Sequence, residues 1–314
     1  MRNSILRMTL CLLIFASCET PISLTLPEQA GTTVIEGWIE NEKTATVAVS
    51  YSMSYYSTID LNTIFDCVDT AATVIVTDDM GNSETLQLGF SWEHIFGIMG
   101  RVYVGQTIKG VPGHTYNLYV KTSNGHEYTA KTYIPANRVQ VDSIYFPIKN
   151  SATDTALPLM LSIKDDFTTY DCYRFFSKIS NLNVELPLFL QGLRYCYAPV
   201  GCLDDLTWNG KTLAYQLFRG SVINLPISGM SYEERKEFYR SLFRPGDTVI
   251  ARSTLIDVDS YKYWFTVQLD MEGGGNPIMV PGHYKTNLVG NNVTGIWSGY
   301  HARYDTIVFP KVDK

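Results

Sequence analysis

His114-Thr115-Tyr116-Asn117-Leu118-Tyr119-Val120, then Ser123-Asn124-Gly125, then the run from His126 through Ile134 decide the fold class. Both flanking runs are rich in Tyr, Thr and aliphatic residues and alternate in polarity, the pattern of a half-buried strand. Asn-Gly between two such runs predicts a β-hairpin, because both residues tolerate the positive φ of a tight turn. Five similar runs precede the hairpin: Thr33–Ile39, Ala45–Tyr51, Ala72–Thr77, Glu84–Phe90 and Arg101–Ile108. The third ends in the turn residues Asp78-Asp79-Met80-Gly81-Asn82. A succession of short strands with turn signals and no helical period, spread over about 100 residues, predicts a β-sandwich. The expected domain is Ig-like or transthyretin-like, spans 31–135 and is closed by Pro135. A longer loop between Tyr51 and Ala71 carries Cys67.

Beyond Pro135 the pattern is mixed. Val141–Tyr145, Leu159–Ile163, Tyr173–Ile179, Val184–Leu190, Leu213–Phe218, Ser221–Leu225 and Asp247–Arg252 read as strands, as does a final run near Thr294–Val308. Ser231-Tyr232-Glu233-Glu234 is a capping box, so a helix is expected through Leu242, ended by Phe243-Arg244-Pro245-Gly246. Tyr261, Trp264, Phe265 and Leu269 lie at helical spacing, which predicts a second helix over 259–271, capped by Asp259 or Ser260. The expectation is therefore a mainly β chain: a sandwich at 31–135, then a β-rich domain at 136–314 with two short helices.

Ahead of the first strand the character changes. Arg2 and Arg7 precede the apolar run Met8–Phe15, and no acid occurs before Glu19. The run is shorter than the roughly 20 residues that a spanning helix needs. It reads instead as a secretory leader, residues 1–17. Phe15-Ala16-Ser17-Cys18 has the form of a lipobox, with Phe in the place usually held by Leu. Cys18 is the expected lipid anchor and the membrane the expected contact; each buried acyl CH₂ contributes about 0.8 kcal/mol. Residues 18–30 form the tether, where Pro21 and Pro27 disfavour a helix.

The chain has 314 residues, a formal net charge of −6, and 21 Tyr. An acidic chain without a basic cluster offers no electrostatic footprint for nucleic acid, so none is expected as a partner. Tyr at this density favours strands and wet binding surfaces. Once Cys11 leaves with the leader and Cys18 takes lipid, Cys67, Cys172, Cys196 and Cys202 remain. An exported chain meets oxidising conditions. Cys196–Cys202 closes a short loop holding Pro199 and Gly201, and is the favoured disulfide; Cys67–Cys172 would be the second. A zinc site is the alternative, though the sequence has no CxxC and no nearby His.

The stretch from Cys18-Glu19 through Pro27-Glu28 and on into Val34-Ile35-Glu36-Gly37-Trp38-Ile39 resembles the start of a Bacteroidetes lipoprotein family. That family is known as domain of unknown function 4249. The resemblance continues in order through Asp204-Asp205-Leu206-Thr207-Trp208-Asn209-Gly210-Lys211, Pro245-Gly246-Asp247-Thr248-Val249 and Tyr261-Lys262-Tyr263-Trp264-Phe265. It runs into the tail, at Gly275-Asn276-Pro277, Thr286-Asn287-Leu288-Val289-Gly290, Gly295-Ile296-Trp297 and Gly299-Tyr300. Here Asn291-Asn292 interrupts a glycine run that is denser in the family. The resemblance implies an outer-membrane lipoprotein working beside a TonB-dependent transporter. It supplies no catalytic residues.

Candidate chemistry is sparse. No HxH, HExxH or GxSxG occurs among the five histidines and the serines, so no catalytic residue, metal ligand or cofactor is assigned. His114 and His126 lie on the two arms of the hairpin and are expected as surface neighbours. Asp78-Asp79, Asp165-Asp166 and Asp204-Asp205 are adjacent acids; adjacency on a strand sends side chains to opposite faces, so they read as turn residues, with Ca²⁺-binding loops as the alternative. Gly273-Gly274-Gly275 ends a helix rather than opening one, which suits a stop and not a phosphate cradle. Tyr261, Tyr263, Trp264 and Phe265 read as core, whereas Trp92 and Trp297 are the candidates for exposed, ligand-contacting aromatics. The leading expectation is a non-enzymatic accessory lipoprotein that captures a ligand or docks on a transporter. The alternatives are a surface hydrolase of glycans or peptides, and a structural or adhesive surface protein.

Overall fold

The computed structural model describes residues 31–53, 66–91, 100–147, 156–181, 198–219, 242–273 and 284–311. Their strands are β1 (Thr33–Glu40), β2 (Thr44–Tyr51), β3 (Thr73–Asp78), β4 (Ser83–Thr85), β5 (Gln87–Ser91), β6 (Gly100–Lys109), β7 (Thr115–Lys121) and β8 (Glu127–Tyr133). There follow β9 (Gln140–Tyr145), β10 (Leu159–Lys164), β11 (Cys172–Ile179), β12 (Ala198–Asp204), β13 (Thr212–Leu217), β14 (Thr248–Ile256) and β15 (Val293–Val308). Helix α1 (Val258–Gly273) lies between the last two strands.

The strands form one eight-stranded sheet, in the order β12-β11-β14-β15-β1-β2-β6-β5, and two smaller ones, β4-β3-β7-β8 and β13-β10-β9. The long strand β15 organises the large sheet. Its first half pairs in parallel with β1, Thr33 opposite Val293 through Glu40 opposite Tyr300. Its second half pairs antiparallel with β14, Ile256 opposite Tyr300 through Thr248 opposite Val308. Alternation along these strands gives the large sheet two distinct faces. On one face Ile35, Ile39, Val47, Val49 and Trp297 meet Val74, Val76, Tyr116, Leu118 and Tyr128 of the four-stranded sheet. On the same face, farther along, Tyr173, Phe175, Val249, Ala251 and Leu255 meet Leu159, Leu161, Ile163 and Leu217 of the three-stranded sheet. The opposite face carries Trp38, Cys172, Ile256, Ile296 and Tyr300, covered by Trp264 of α1.

The expected boundary at 135 separates neither sheets nor cores cleanly, since the first core takes Leu288 and Trp297 from the far end of the chain. Residues 31–314 form one compact unit. A division there would cut the β1–β15 ladder, whose hydrogen bonds need both halves of the chain. The hairpin follows the expected reading: β7 and β8 pair from Thr115 opposite Tyr133 to Lys121 opposite Glu127. Gly125 takes φ +89° in its turn. That register also separates the two histidines. His114 bonds Ile134 at the open end, and His126 bonds Thr122 at the turn, so they are not neighbours.

Several expectations need correction. The run Glu84–Phe90 is two strands, because the chain changes sheets at buried Leu86: β4 pairs with β3 and β5 with β6. The segment read as a disulfide loop is largely strand β12, paired with β11. Helix α1 is capped by Asp257, earlier than its expected span suggests; Asp257 Oδ1 accepts from Ser260 N at 2.7 Å. The expected helix over 231–242 and the expected strands Val184–Leu190 and Ser221–Leu225 lie outside the described residues, apart from Leu242 at the helix end. Among the described residues no helix is long and apolar enough to cross a membrane.

One buried carboxylate ties loops of the four-stranded side together. Asp69, 4% exposed, accepts hydrogen bonds from Ser123 N (2.8 Å), Ser123 Oγ (3.0 Å), Tyr51 Oη (2.8 Å) and Ala71 N (3.1 Å). Burial alone would raise its pKa, but these four donors outweigh burial and hold it below the ordinary value. A lowered folded pKa adds stability above the unfolded value, near 3.9, and loses it as pH falls through the folded value. Asp69→Asn is therefore expected to lower the urea unfolding free energy by about 1–3 kcal/mol at pH 7. The deficit should shrink below about pH 4, where the wild-type carboxylate also takes up a proton. Equal deficits at pH 7 and pH 3 would contradict the role given to the charge.

Candidate functional site

Two connections cross between the large sheet and the three-stranded sheet, side by side. Residues 165–171 join β10 to β11, and residues 205–211 join β12 to β13. Strand register brings the crossings together, since Lys164 lies opposite Thr212 on one sheet and Cys172 opposite Asp204 on the other. The ladders extend into the loops: Asp165 N donates to Lys211 O (3.1 Å), and Asp205 N donates to Asp171 O (3.1 Å).

Three carboxylates meet at this junction. Asp165, Asp171 and Asp205 each bring an oxygen to within 4.8 Å of the other two. They are buried, at 4%, 8% and 0% exposure. Asp165 is held firmly: its Oδ1 accepts from Tyr173 Oη at 2.5 Å, and its Oδ2 accepts from Gly210 N at 2.8 Å. Gly210 has φ +74°, and a Cβ there would lie 2.8 Å from Phe167 Cβ, so this close approach requires glycine. Asp205 Oδ2 accepts from Asp171 N (2.9 Å), while Asp171 Oδ2 accepts from Thr169 Oγ1 (3.0 Å). Asp205 Oδ1 is buried and has no hydrogen-bond partner among the described residues. Trp208 closes the second loop, with Nε1 donating to Asp204 O (2.7 Å) and its ring 5.3 Å from that of Tyr173.

The electrostatics match this geometry. Burial, followed by the neighbouring charges of Asp165, Asp205 and Asp166, pushes Asp171 up to about 6 against the opposing Thr169 hydrogen bond. Burial likewise raises Asp205, aided by Asp165 and Asp204. Among the described residues no Lys, Arg or His forms an ion pair with any of the three. Concentrated negative charge without a counter-charge suits a hard cation more than it suits acid–base chemistry.

Other candidates from the sequence are placed differently. Trp297 is not an exposed ligand contact: it is 0% exposed within the first core, and its Nε1 donates to Tyr116 O at 3.0 Å. Gly295 and Gly299 beside it allow close packing of β15. Trp92, Cys18 and Cys196 lie outside the described residues. Cys67, Cys172 and Cys202 are free thiols, so the Cys67–Cys172 tie is not formed. Cys67 bonds through its carbonyl to Tyr51 N, and Tyr51 lies opposite Thr33. Cys172 belongs instead to the cluster with Trp38, Ile256 and Tyr300 on the face covered by α1. Cys202, the described half of the favoured pair, lies on β12 and donates its N–H to Gln268 Oε1 (2.9 Å). Burial pushes the Cys172 and Cys202 thiols up to about 12, so both stay protonated and unreactive.

Of the four α1 aromatics expected as core, Trp264 is buried and Tyr261 and Tyr263 pack against its cluster, whereas Phe265 is 37% exposed and faces outward. The Arg174 guanidinium lies 3.4 Å from the Trp264 ring centroid, and Tyr263 packs edge-on at 5.0 Å. Asp79 accounts for His114, with 2.7 Å between its carboxylate and Nδ1. A shallow groove over the four-stranded sheet is lined by Asn117, Tyr119, Thr129, Lys131, Asn287 and Asp259, so it holds one carboxylate and no pair.

The acid cluster was half visible in the sequence. Asp165 and Asp205 belong to the noted pairs, but Asp171 stands alone and only the β11–β12 register brings it in.

In comparison with protein families, the family described as "Domain of unknown function (DUF4249)" matches residues 19–304. No curated protein matches the chain.

Proposed function

The chain belongs to the DUF4249 family over nearly its whole length, and from that premise we propose a non-enzymatic, lipid-anchored accessory protein of the cell envelope. In this reading Cys18 carries the acyl chains and the body is held at the outer membrane. There it captures a ligand or docks beside a TonB-dependent transporter. The same reading takes the sandwich of the first core, built mostly from 31–135 and completed by β15, as Ig-like or transthyretin-like, and adds a second helix near 231–242.

The observation that carries the proposal is the juxtaposition of the lipobox Phe15-Ala16-Ser17-Cys18 with a body whose first strand starts at Thr33. An extended chain spans at most about 3.3–3.6 Å per residue. The tether therefore keeps β1, near the middle of the large sheet, within about 50 Å of the anchor. A body held so close to a bilayer suits a partner that is itself embedded there.

Cys18→Ser is expected to move the protein from the membrane fraction to the soluble fraction and to abolish incorporation of labelled palmitate. Persistence of the Ser variant in membranes would overturn the anchor. Extraction of the wild type in mild detergent is expected to bring down a large β-barrel; recovery of the chain alone would count against docking.

A further inference from the structure

We propose that Asp165, Asp171 and Asp205 hold a Ca²⁺ ion that pins together the two crossings between the large and the three-stranded sheet. Three features of the junction lead there. First, three carboxylates converge with no basic partner among the described residues. Second, Asp205 is fully buried, contributes an oxygen to the cluster, and has Oδ1 unsatisfied among the described residues. A buried carboxylate oxygen without a donor is costly, and a cation is the partner such an atom accepts best. Third, the donors are backed from behind. Tyr173 Oη and Gly210 N fix Asp165, Asp171 N fixes Asp205, and Thr169 Oγ1 fixes Asp171. Outer hydrogen bonds of this kind orient ligating carboxylates.

The ion's identity follows from size and softness. Two oxygens on opposite sides of Ca²⁺, at about 2.3–2.6 Å each, lie at most about 5 Å apart; around Mg²⁺, at 2.0–2.1 Å, they lie within about 4.2 Å. Oxygens that lie within 4.8 Å of one another can share one ion; Ca²⁺ is favoured because Mg²⁺ demands near-ideal octahedral geometry and usually keeps several waters, whereas Ca²⁺ accepts an irregular set of protein oxygens. A set of three carboxylates with no His or Cys disfavours zinc, whose sites are built mainly on nitrogen or sulfur. Water would fill the remaining coordination positions, as Ca²⁺ takes about 6–8 oxygens.

The site lies where the chain leaves one sheet and enters the other, twice. A bound ion would therefore stabilise the contact between the two layers that enclose the second core. It does not depend on the anchor or the partner proposed above.

The test uses the full chain in detergent, stripped of metal with a chelator. Terbium, a luminescent stand-in for Ca²⁺, should be sensitised by Trp208 and Tyr173, and added Ca²⁺ should quench the signal by displacement at one ion per chain. Ca²⁺ should also raise the melting temperature. Asp205→Asn and Asp171→Asn should each weaken binding by about tenfold or more, while Asp166→Asn, an exposed neighbour, should change it by less than about threefold. If circular dichroism shows Asp205→Asn unfolded, Asp171→Asn carries the comparison. Absence of saturable binding up to about 10 mM Ca²⁺ by folded wild type would overturn the proposal. So would wild-type affinity in the Asp171 variant. Equal affinity for Mg²⁺ would overturn the assignment to Ca²⁺.

Discussion

Glu40→Gln is expected to lower the stability of the protein by about 3–5 kcal/mol, the cost of removing one charge from a buried ion pair. Glu40 ends β1 and is 1% exposed. Its Oε2 accepts from the Arg252 guanidinium of β14, a pair with side-chain exposures of 2% and 6%. Tyr304 Oη donates to Oε1 at 2.6 Å, and Lys43 approaches from the surface at 3.1 Å. Arg252 also lies over the rings of Phe176 (4.6 Å) and Tyr300 (5.1 Å). Those aromatic faces cannot replace a carboxylate, because a ring quadrupole is worth about 0.5–2 kcal/mol to a cation. Gln keeps the shape and one acceptor but removes the charge, so the loss isolates electrostatics from packing. At about 2–4 °C per kcal/mol for a chain of this size, the melting temperature should fall by roughly 10 °C. Replacing both partners, as Glu40→Leu with Arg252→Met, should recover most of the loss, since no unpaired charge is then buried. Calorimetry of the two single variants and the double one decides the matter. A double variant as unstable as the sum of the singles would show that packing, and not charge, dominates at this position.

Trp297→Ala should be comparably severe, at about 3–5 kcal/mol, as for other large aromatics removed from a core. The indole is fully buried and lies directly opposite Gly37 in the β1–β15 ladder. The fit is close: a Cβ on Gly37 would lie 2.8 Å from Trp297 Cε3 and 2.9 Å from Val47 Cγ2. Truncation removes that packing and leaves Tyr116 O without its 3.0 Å donor. Trp297→Phe should cost less in volume while still losing the hydrogen bond. Urea unfolding of the Ala and Phe variants would separate these contributions. A loss below about 1 kcal/mol for Trp297→Ala would show that the site collapses around the missing ring.

Legibility in the sequence followed the range of the interactions. The β7–β8 hairpin was readable because its turn chemistry and alternation are local. So was α1, whose Tyr261, Trp264 and Phe265 repeat at helical spacing. Strand β12 was hidden by Pro199 and Gly201, residues that argue against a central strand. β12 lies at the edge of the eight-stranded sheet, where a missing N–H donor is tolerated. Trp297 was misread for a related reason. Its run was expected as a strand, but alternation alone does not say which face is covered, and Gly295 and Gly299 permit the close backbone approach that buries it; a Cβ on Gly299 would lie 2.3 Å from Tyr133 O, and one on Gly295 1.9 Å from Ile35 O. The acidic site needed knowledge of which strands pair. Asp171 and Asp205 are 34 residues apart in sequence and meet because each lies one step beyond a cross-strand pair. Nothing in the local pattern specifies that register.

The parallel pairing of β1 with β15 sets how the chain must fold. Contacts between them span about 260 positions, as in the bond from Thr32 to Asn292. The entropy of closing so long a loop is met before the ladder gives anything back, which makes such folds slow. β15 is also the strand between β1 and β14, so until it docks the large sheet is two separate pieces with open edges. A chain ending before Val293 would carry both pieces and no seam. During synthesis the large sheet cannot close until residues 293–308 are available to join its two pieces.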